Sequence, residues 1–129
     1  MQKMITIKST FGHIDIFSNG NKTTLYVVPN GYVGSSLVKK DLAYALEFEN
    51  SISHEWTYIV DTSKVSAVSP LNPFFLNQGL KRFTRMKTYV VYAPSPMVRM
   101  MLSLTNWINK PDKIIQTAAD LQMALTQSI

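Results

Sequence analysis

The side chains best suited to chemistry are few: Asp61, His13, His54 and the serines of two Ser-Pro pairs, Ser69-Pro70 and Ser95-Pro96. Asp61 closes the apolar run Trp56–Val60. In open α/β sheets ligands collect beyond the carboxyl ends of the strands, so a carboxylate there is a candidate contact for a ligand or partner. The competing use is local, since short carboxylates commonly accept bonds from amides of their own loop, here Thr62–Ser66. Ser69 and Ser95 each follow an apolar run and share that expected edge. Exposed amides at a helix start can hold an anion. The simpler role is an ordinary N-cap, with Pro in the first helical position where its missing N–H is no loss. Asp61, Ser69 and Ser95 are therefore the candidate anion or partner edge.

Metal and covalent chemistry find little support. Two histidines without a converging set of further ligands do not make a metal site, and solvated or locally bonded rings are their expected state. The chain has no Cys, which excludes disulfides, thiolate zinc sites and thiol catalysis. No Gly-rich phosphate loop, nucleophile elbow or H-E-x-x-H helix is present. The expectation is a non-enzymatic protein with no metal and no cofactor. No motif rises above a soluble α/β domain.

Two features point to contact instead. The net charge is +5, and much of the excess sits in Lys81, Arg82, Arg85 and Lys87. These cations suit the C-terminal end of a helix, whose carbonyls carry partial negative charge. With no aromatic platform or glycine-rich recognition loop beside them, nucleic acid is not the expected partner. The second feature is an apolar segment after Ser95-Pro96, read as a helix over Met97–Ile108. Met97, Met101, Leu104 and Ile108 form one stripe, Met100 and Trp107 lie to one side of it, and Val98 and Leu102 to the other. The apolar arc spans roughly 220°, about twice what a surface helix needs. Flexible, polarisable Met side chains adapt to varied apolar partners. Met97, Met100, Met101 and Trp107 are thus candidate apolar contacts, for a second subunit or for an acyl-chain ligand, unless neighbouring helices simply cover them as core.

The elements that must position these residues follow from patterning. At 129 residues the chain fits one domain spanning 1–129. Ile5–Phe17 alternates as a strand with a bend at Phe11-Gly12, and Asn19-Gly20-Asn21 turns it into the β-branched and aromatic run Thr23–Val28, an antiparallel hairpin. Leu37–Ser51 is a helix capped by Ser35 or Ser36, with Val38, Leu42, Ala45, Leu46 and Glu49 recurring on one stripe. Trp56–Asp61 leaves little polar surface, as a strand covered on both faces requires. Ser69-Pro70 starts the next helix, whose Gly79 lowers helix propensity and allows close packing. Thr88–Ala93 is a second buried strand. Lys113–Gln116 is a short edge strand, and Thr117-Ala118-Ala119-Asp120 begins a last helix as a near capping box. Strand, crossover helix and strand again indicate a parallel sheet. The longest apolar run, Tyr89–Ala93, is far short of the ~20 residues that span a bilayer. The alternating start argues against a signal peptide, and a cytoplasmic location is expected.

This order, carried by Trp56-Thr57-Tyr58-Ile59-Val60-Asp61, by Tyr89-Val90-Val91-Tyr92-Ala93 with Pro94-Ser95-Pro96, and by Ile114-Ile115 with the Thr117–Leu125 helix, resembles the STAS domain group. Within that group it is similar to the small SpoIIAA-like proteins, whose architecture is in turn similar to the lipid-binding CRAL-TRIO domains. The resemblance implies one α/β domain: a mixed sheet of about five strands, including an N-terminal hairpin, flanked by four helices. It also implies a regulatory module acting through a protein partner, including itself as a homodimer, with a carrier of a small apolar ligand as the alternative. One departure matters. Anti-sigma-factor antagonists carry a phosphorylated serine in an Asp-Ser-Ser-Gly segment. The corresponding place here reads Val68-Ser69-Pro70-Leu71, and Pro70 stands where that serine would be.

Overall fold

The computed structural model describes residues 2–9, 12–19, 22–104 and 111–128. Three antiparallel strands open the chain: β1 (Gln2–Ser9), β2 (Gly12–Asn19) and β3 (Lys22–Pro29). They are followed by β4 (Gly31–Val33), α1 (Ser35–Asn50), β5 (Trp56–Asp61), β6 (Val65–Val68) and α2 (Asn72–Leu80). The chain then runs through β7 (Met86–Tyr92), α3 (Pro96–Leu104), β8 (Lys113–Ile115) and α4 (Ala118–Ser128).

The main sheet has the order β1-β2-β3-β5-β7-β8, and β3, β5, β7 and β8 run parallel. This is the expected mixed sheet with four helices. It holds six strands where about five were expected, because the stretch read as one bent strand, Ile5–Phe17, doubles back as β1 and β2. Gly12 opens β2 at φ +138°, and a Cβ there would meet the Val28 carbonyl oxygen at 2.1 Å, so only glycine fits. A separate parallel pair, β4 and β6, links the ends of two crossovers and was not legible in the sequence.

Two helix starts differ from expectation. Gly34, not Ser35 or Ser36, occupies the N-cap of α1, and Val38 N–H donates to the Gly34 carbonyl at 3.2 Å. Ser35 lies inside the helix and its hydroxyl donates to Asn72 Oδ1 at 3.3 Å. The second helix begins at Asn72, not at Ser69-Pro70. Ser69 N–H is drawn to the Val33 carbonyl at 3.0 Å by the β4–β6 pairing, and its hydroxyl accepts from Leu71 N–H at 3.2 Å in a turn. The proline of the first helical turn is Pro73. The other two starts follow the sequence: α3 begins at Pro96, and Thr117 Oγ1 accepts from Asp120 N–H at 3.1 Å.

Helices α1, α2 and α3 cover one face of the sheet and α4 the other. Alternation assigns the strand residues. Leu25, Val27, Trp56, Tyr58, Tyr89 and Val91 face α1–α3, while Phe17, Ile59, Val90 and Tyr92 face Leu121 and Leu125 of α4. Gly79 brings α2 onto α1, where its missing Cβ would lie 2.5 Å from Leu42 Cδ1.

The C-terminus of α1 is fixed by a buried charge. Glu49, 2% exposed, accepts from Trp56 Nε1–H at 3.0 Å, Arg85 N–H at 2.7 Å and Thr84 N–H at 3.1 Å. Arg85 returns its guanidinium to the carbonyls of Glu49 at 2.6 Å and Ile52 at 3.1 Å. A cation does close a helix here, but it closes α1 and not the helix that precedes it in sequence. Burial alone would raise the Glu49 carboxyl. The bonds from Trp56, Arg85 and Thr84 outweigh it and hold the carboxyl below its ordinary value.

Candidate functional site

The described residues do not fill the space between the sheet and helices α1–α3. A cavity of about 320 Å³ lies there, within the lower range of small-molecule pockets. Its floor comes from two adjacent parallel strands in register, where Tyr58 stands beside Tyr89 and Val60 beside Val91. Period-two alternation aims all four at the helices. The α1 wall carries Val38, Asp41 and Leu42, a spacing of three and one that places them on one helical face. Leu76 of α2 and Val98, Met101, Leu102 and Leu104 of α3 complete the enclosure. Leu104 is 68% exposed, so the cavity reaches the surface beside α3.

The lining is overwhelmingly apolar, and its few polar groups fall into two sets. Thr62, Ser69 and Asn72 are engaged within the protein. Thr62 Oγ1 donates to the Tyr92 carbonyl at 2.8 Å, Asn72 Nδ2 to the Val33 carbonyl at 2.8 Å, and Ser69 Oγ accepts from Leu71. Asp41, Tyr58 and Tyr89 form no side-chain hydrogen bond among the described residues, although Tyr58 and Tyr89 are 3% and 6% exposed. Burial pushes the Asp41 carboxyl up to about 6, with Lys40 pulling the other way. Burial also raises both phenols, and Tyr58 is raised further by neighbouring Tyr89 and Asp41. Both hydroxyls are therefore protonated at neutral pH, and Asp41 is the one charged lining group among the described residues.

The residues singled out from sequence are distributed around this space. Ser69 and Met101 line it. Met97 and Met100, 40% and 59% exposed, lie on the outer side of α3, and Ser95 precedes that helix, its carbonyl accepting from Arg99 N–H at 3.1 Å. Asp61 belongs to the opposite face of the sheet. Its carboxylate accepts from the Tyr26 hydroxyl and, at 2.8 Å, from Ser63 N–H in its own loop. Desolvation, then Asp61, raises the Tyr26 phenol. Asp61 and Ser69 share no hydrogen bond. Trp107 lies outside the described residues. His54 Nε2 pairs with Thr23 Oγ1 at 2.7 Å, and His13 Nε2 lies 3.7 Å from Asp15. No group of three potential metal ligands occurs among the described residues. No helix among them is long and apolar enough to cross a membrane.

Of the cavity's polar residues only Ser69 was singled out from sequence. Asp41 offered a signal nonetheless: it falls three residues after Val38 and four before Ala45, on the stripe that faces the sheet. Tyr58 and Tyr89 sat inside runs read only as buried strands.

The sheet order, the parallel β3-β5-β7-β8 block and the placement of the helices define a SpoIIAA-like, STAS-type fold. An uncharacterised DUF3478-family protein of Shewanella loihica with a SpoIIAA-like fold superposes with a TM-score of 0.60 over 92% of this chain and 98% of its own, at 15% identity. The anti-sigma factor antagonist SpoIIAA in its unphosphorylated form superposes with a TM-score of 0.56 over 90% of this chain and 99% of its own, at 10% identity. No protein-family model and no curated protein sequence matches the chain.

Proposed function

We propose that the chain, as a single domain, is a non-enzymatic binding module that holds a small, mainly apolar molecule between its sheet and helices α1–α3. One observation carries the reading: a cavity of about 320 Å³ whose walls are mostly apolar side chains from helices α1–α3 and strands β3 to β7. At about 30 Å³ for each water-sized group, it accommodates roughly ten such groups. Apolar cavities of half that size stay dry and take up apolar guests. Burying a chain of methylenes there contributes about 0.8 kcal/mol each. One of the two solved structures it resembles is an anti-sigma factor antagonist, which supports a binding role for this architecture. In this chain Pro70 replaces the serine of that phosphoswitch segment, so a ligand and not a phosphate is the signal we assign.

Native mass spectrometry of protein purified from its own host should show a co-purifying small molecule. A neutral solvatochromic dye should bind the apo form, and Val60→Phe, which fills the floor, should weaken it by at least about tenfold. A folded Val60→Phe protein that binds the dye as the wild type does would refute the assignment of the site.

A protein partner is a second reading, favoured by the exposed Met97, Met100 and Leu104 in a row on α3. Light scattering at high concentration tests self-association. Met100→Glu should shift any dimer to monomer.

A further inference from the structure

We infer that the cavity selects an apolar ligand with a hydrogen-bond-donating head, a protonated amine above all, seated against Asp41, Tyr58 and Tyr89. The inference rests on the cavity being a ligand site. It concerns which end group the site accepts.

Three facts carry it. Asp41 is the one charged side chain lining the cavity among the described residues, and no Lys, Arg or His stands on that lining. The other polar lining groups, Thr62, Ser69 and Asn72, already have protein partners. Asp41, Tyr58 and Tyr89 make no side-chain hydrogen bond among the described residues, although both tyrosines are more than nine-tenths buried and Tyr58 packs beside Tyr89 at 5.7 Å between ring centroids. A carboxylate beside apolar walls is held in an unfavourable place, as its upward shift to about 6 reflects. An ammonium group on the ligand would offset that cost through a charge-assisted bond. Two phenol oxygens nearby can accept its remaining protons.

The opposite ligand, a fatty-acid-like carboxylate, meets no cation among the described lining residues and faces a like charge at Asp41. A neutral alcohol has a donor for Asp41 but no charge to pair with it. The chain's net charge of +5 disfavours cations only at long range, where salt screens it. Lys40 is the nearest cation to Asp41 in sequence, but it is exposed and outside this lining.

Isothermal titration at pH 8 with octylamine, 1-octanol and octanoate tests the ranking on the full chain. The amine should bind roughly tenfold or more tighter than octanoate, with the alcohol between them. In Asp41→Asn, an isosteric change, the amine should lose its lead over the alcohol while 1-octanol binding holds. Octanoate equalling the amine, or an amine lead that survives Asp41→Asn, would overturn the head-group assignment and leave the cavity reading intact. If none of the three binds, or Val60→Phe changes none of them, the cavity is not a ligand site and both readings fall together.

Discussion

Glu49 is the residue whose replacement should be felt most. Its carboxylate takes three donors, the buried Trp56 Nε1–H and the part-buried Thr84 N–H and Arg85 N–H, at 2.7 to 3.1 Å through Oε1, with Oε2 a further 3.2 Å contact for Thr84. Glu49→Ala removes every acceptor at once. Each orphaned donor costs about 1–3 kcal/mol if buried, although Thr84 and Arg85 can recover water. Breaking a buried charged network typically costs about 3–5 kcal/mol. Against a whole-domain stability of about 5–15 kcal/mol, the Ala variant should be largely unfolded or close to it. Glu49→Gln keeps one oxygen in place and loses the charge, so a smaller loss of about 1–3 kcal/mol is expected. Trp56 reports on this site directly, because its ring packs edge-on against Phe48 at 5.4 Å and Phe83 at 5.2 Å. Urea unfolding followed by fluorescence therefore reads the change. The pH dependence has a definite sign. The folded carboxyl lies below its ordinary value of 4.5, so its contribution is complete above that pH and fades as the pH falls through the lower folded value. The deficit of Glu49→Gln should accordingly shrink in acid. A Glu49→Ala protein within 1 kcal/mol of wild type at pH 7, with an unchanged denaturant slope, would refute the role assigned to this network.

Two further outcomes follow from the packing around the cavity. Asp41 has the opposite sign to Glu49: its folded pKa is raised from 3.8 to about 6, so the folded state binds the extra proton and is penalised as pH rises through that window. Asp41→Asn should stabilise the apo protein at pH 8 by up to roughly 2–3 kcal/mol and change little below pH 4, as thermal melts across that range would show. Gly79→Ala gains about 1 kcal/mol of helix propensity. Its methyl would lie 2.5 Å from Leu42 Cδ1, and overpacking of about 1–3 kcal/mol should prevail. The loss should be smaller in a Leu42→Val background, and a Gly79→Ala protein more stable than wild type would contradict the close α1–α2 approach.

Much of this architecture can be read from residue order, and the exceptions have local causes. Trp56–Asp61 and Met86–Tyr92 are apolar on both faces, so their pairing inside a covered parallel sheet follows from composition. Thr117 and Asp120 specify the start of α4 through a single capping bond. Ser69-Pro70 carries an equally good start signal, yet the Ser69 amide is taken by Val33 of a strand far away in sequence, and the helix waits for Pro73. Tertiary pairing of this kind leaves no local trace. The same holds for Arg85, whose proximity to Asp41's own helix arises only when Glu49 folds against it. Glu49 itself sits on the apolar stripe of α1, as Asp41 does, and residue order does not say that only Glu49 meets buried donors there. The cavity is a space left by three helices, each of which looks sufficiently apolar to fill it. Only the meeting of Tyr58, Tyr89 and Asp41 reveals its polar corner.

The most direct measurement is a methyl-resolved NMR titration of the protein with 1-octanol. Binding in the cavity predicts saturable shifts at the methyls of Val60, Val91 and Leu76, with Ile59 and Val90 on the opposite face of the sheet little changed. Shifts that fail to saturate, or that stay confined to the exposed Met97 and Met100, would contradict an internal site.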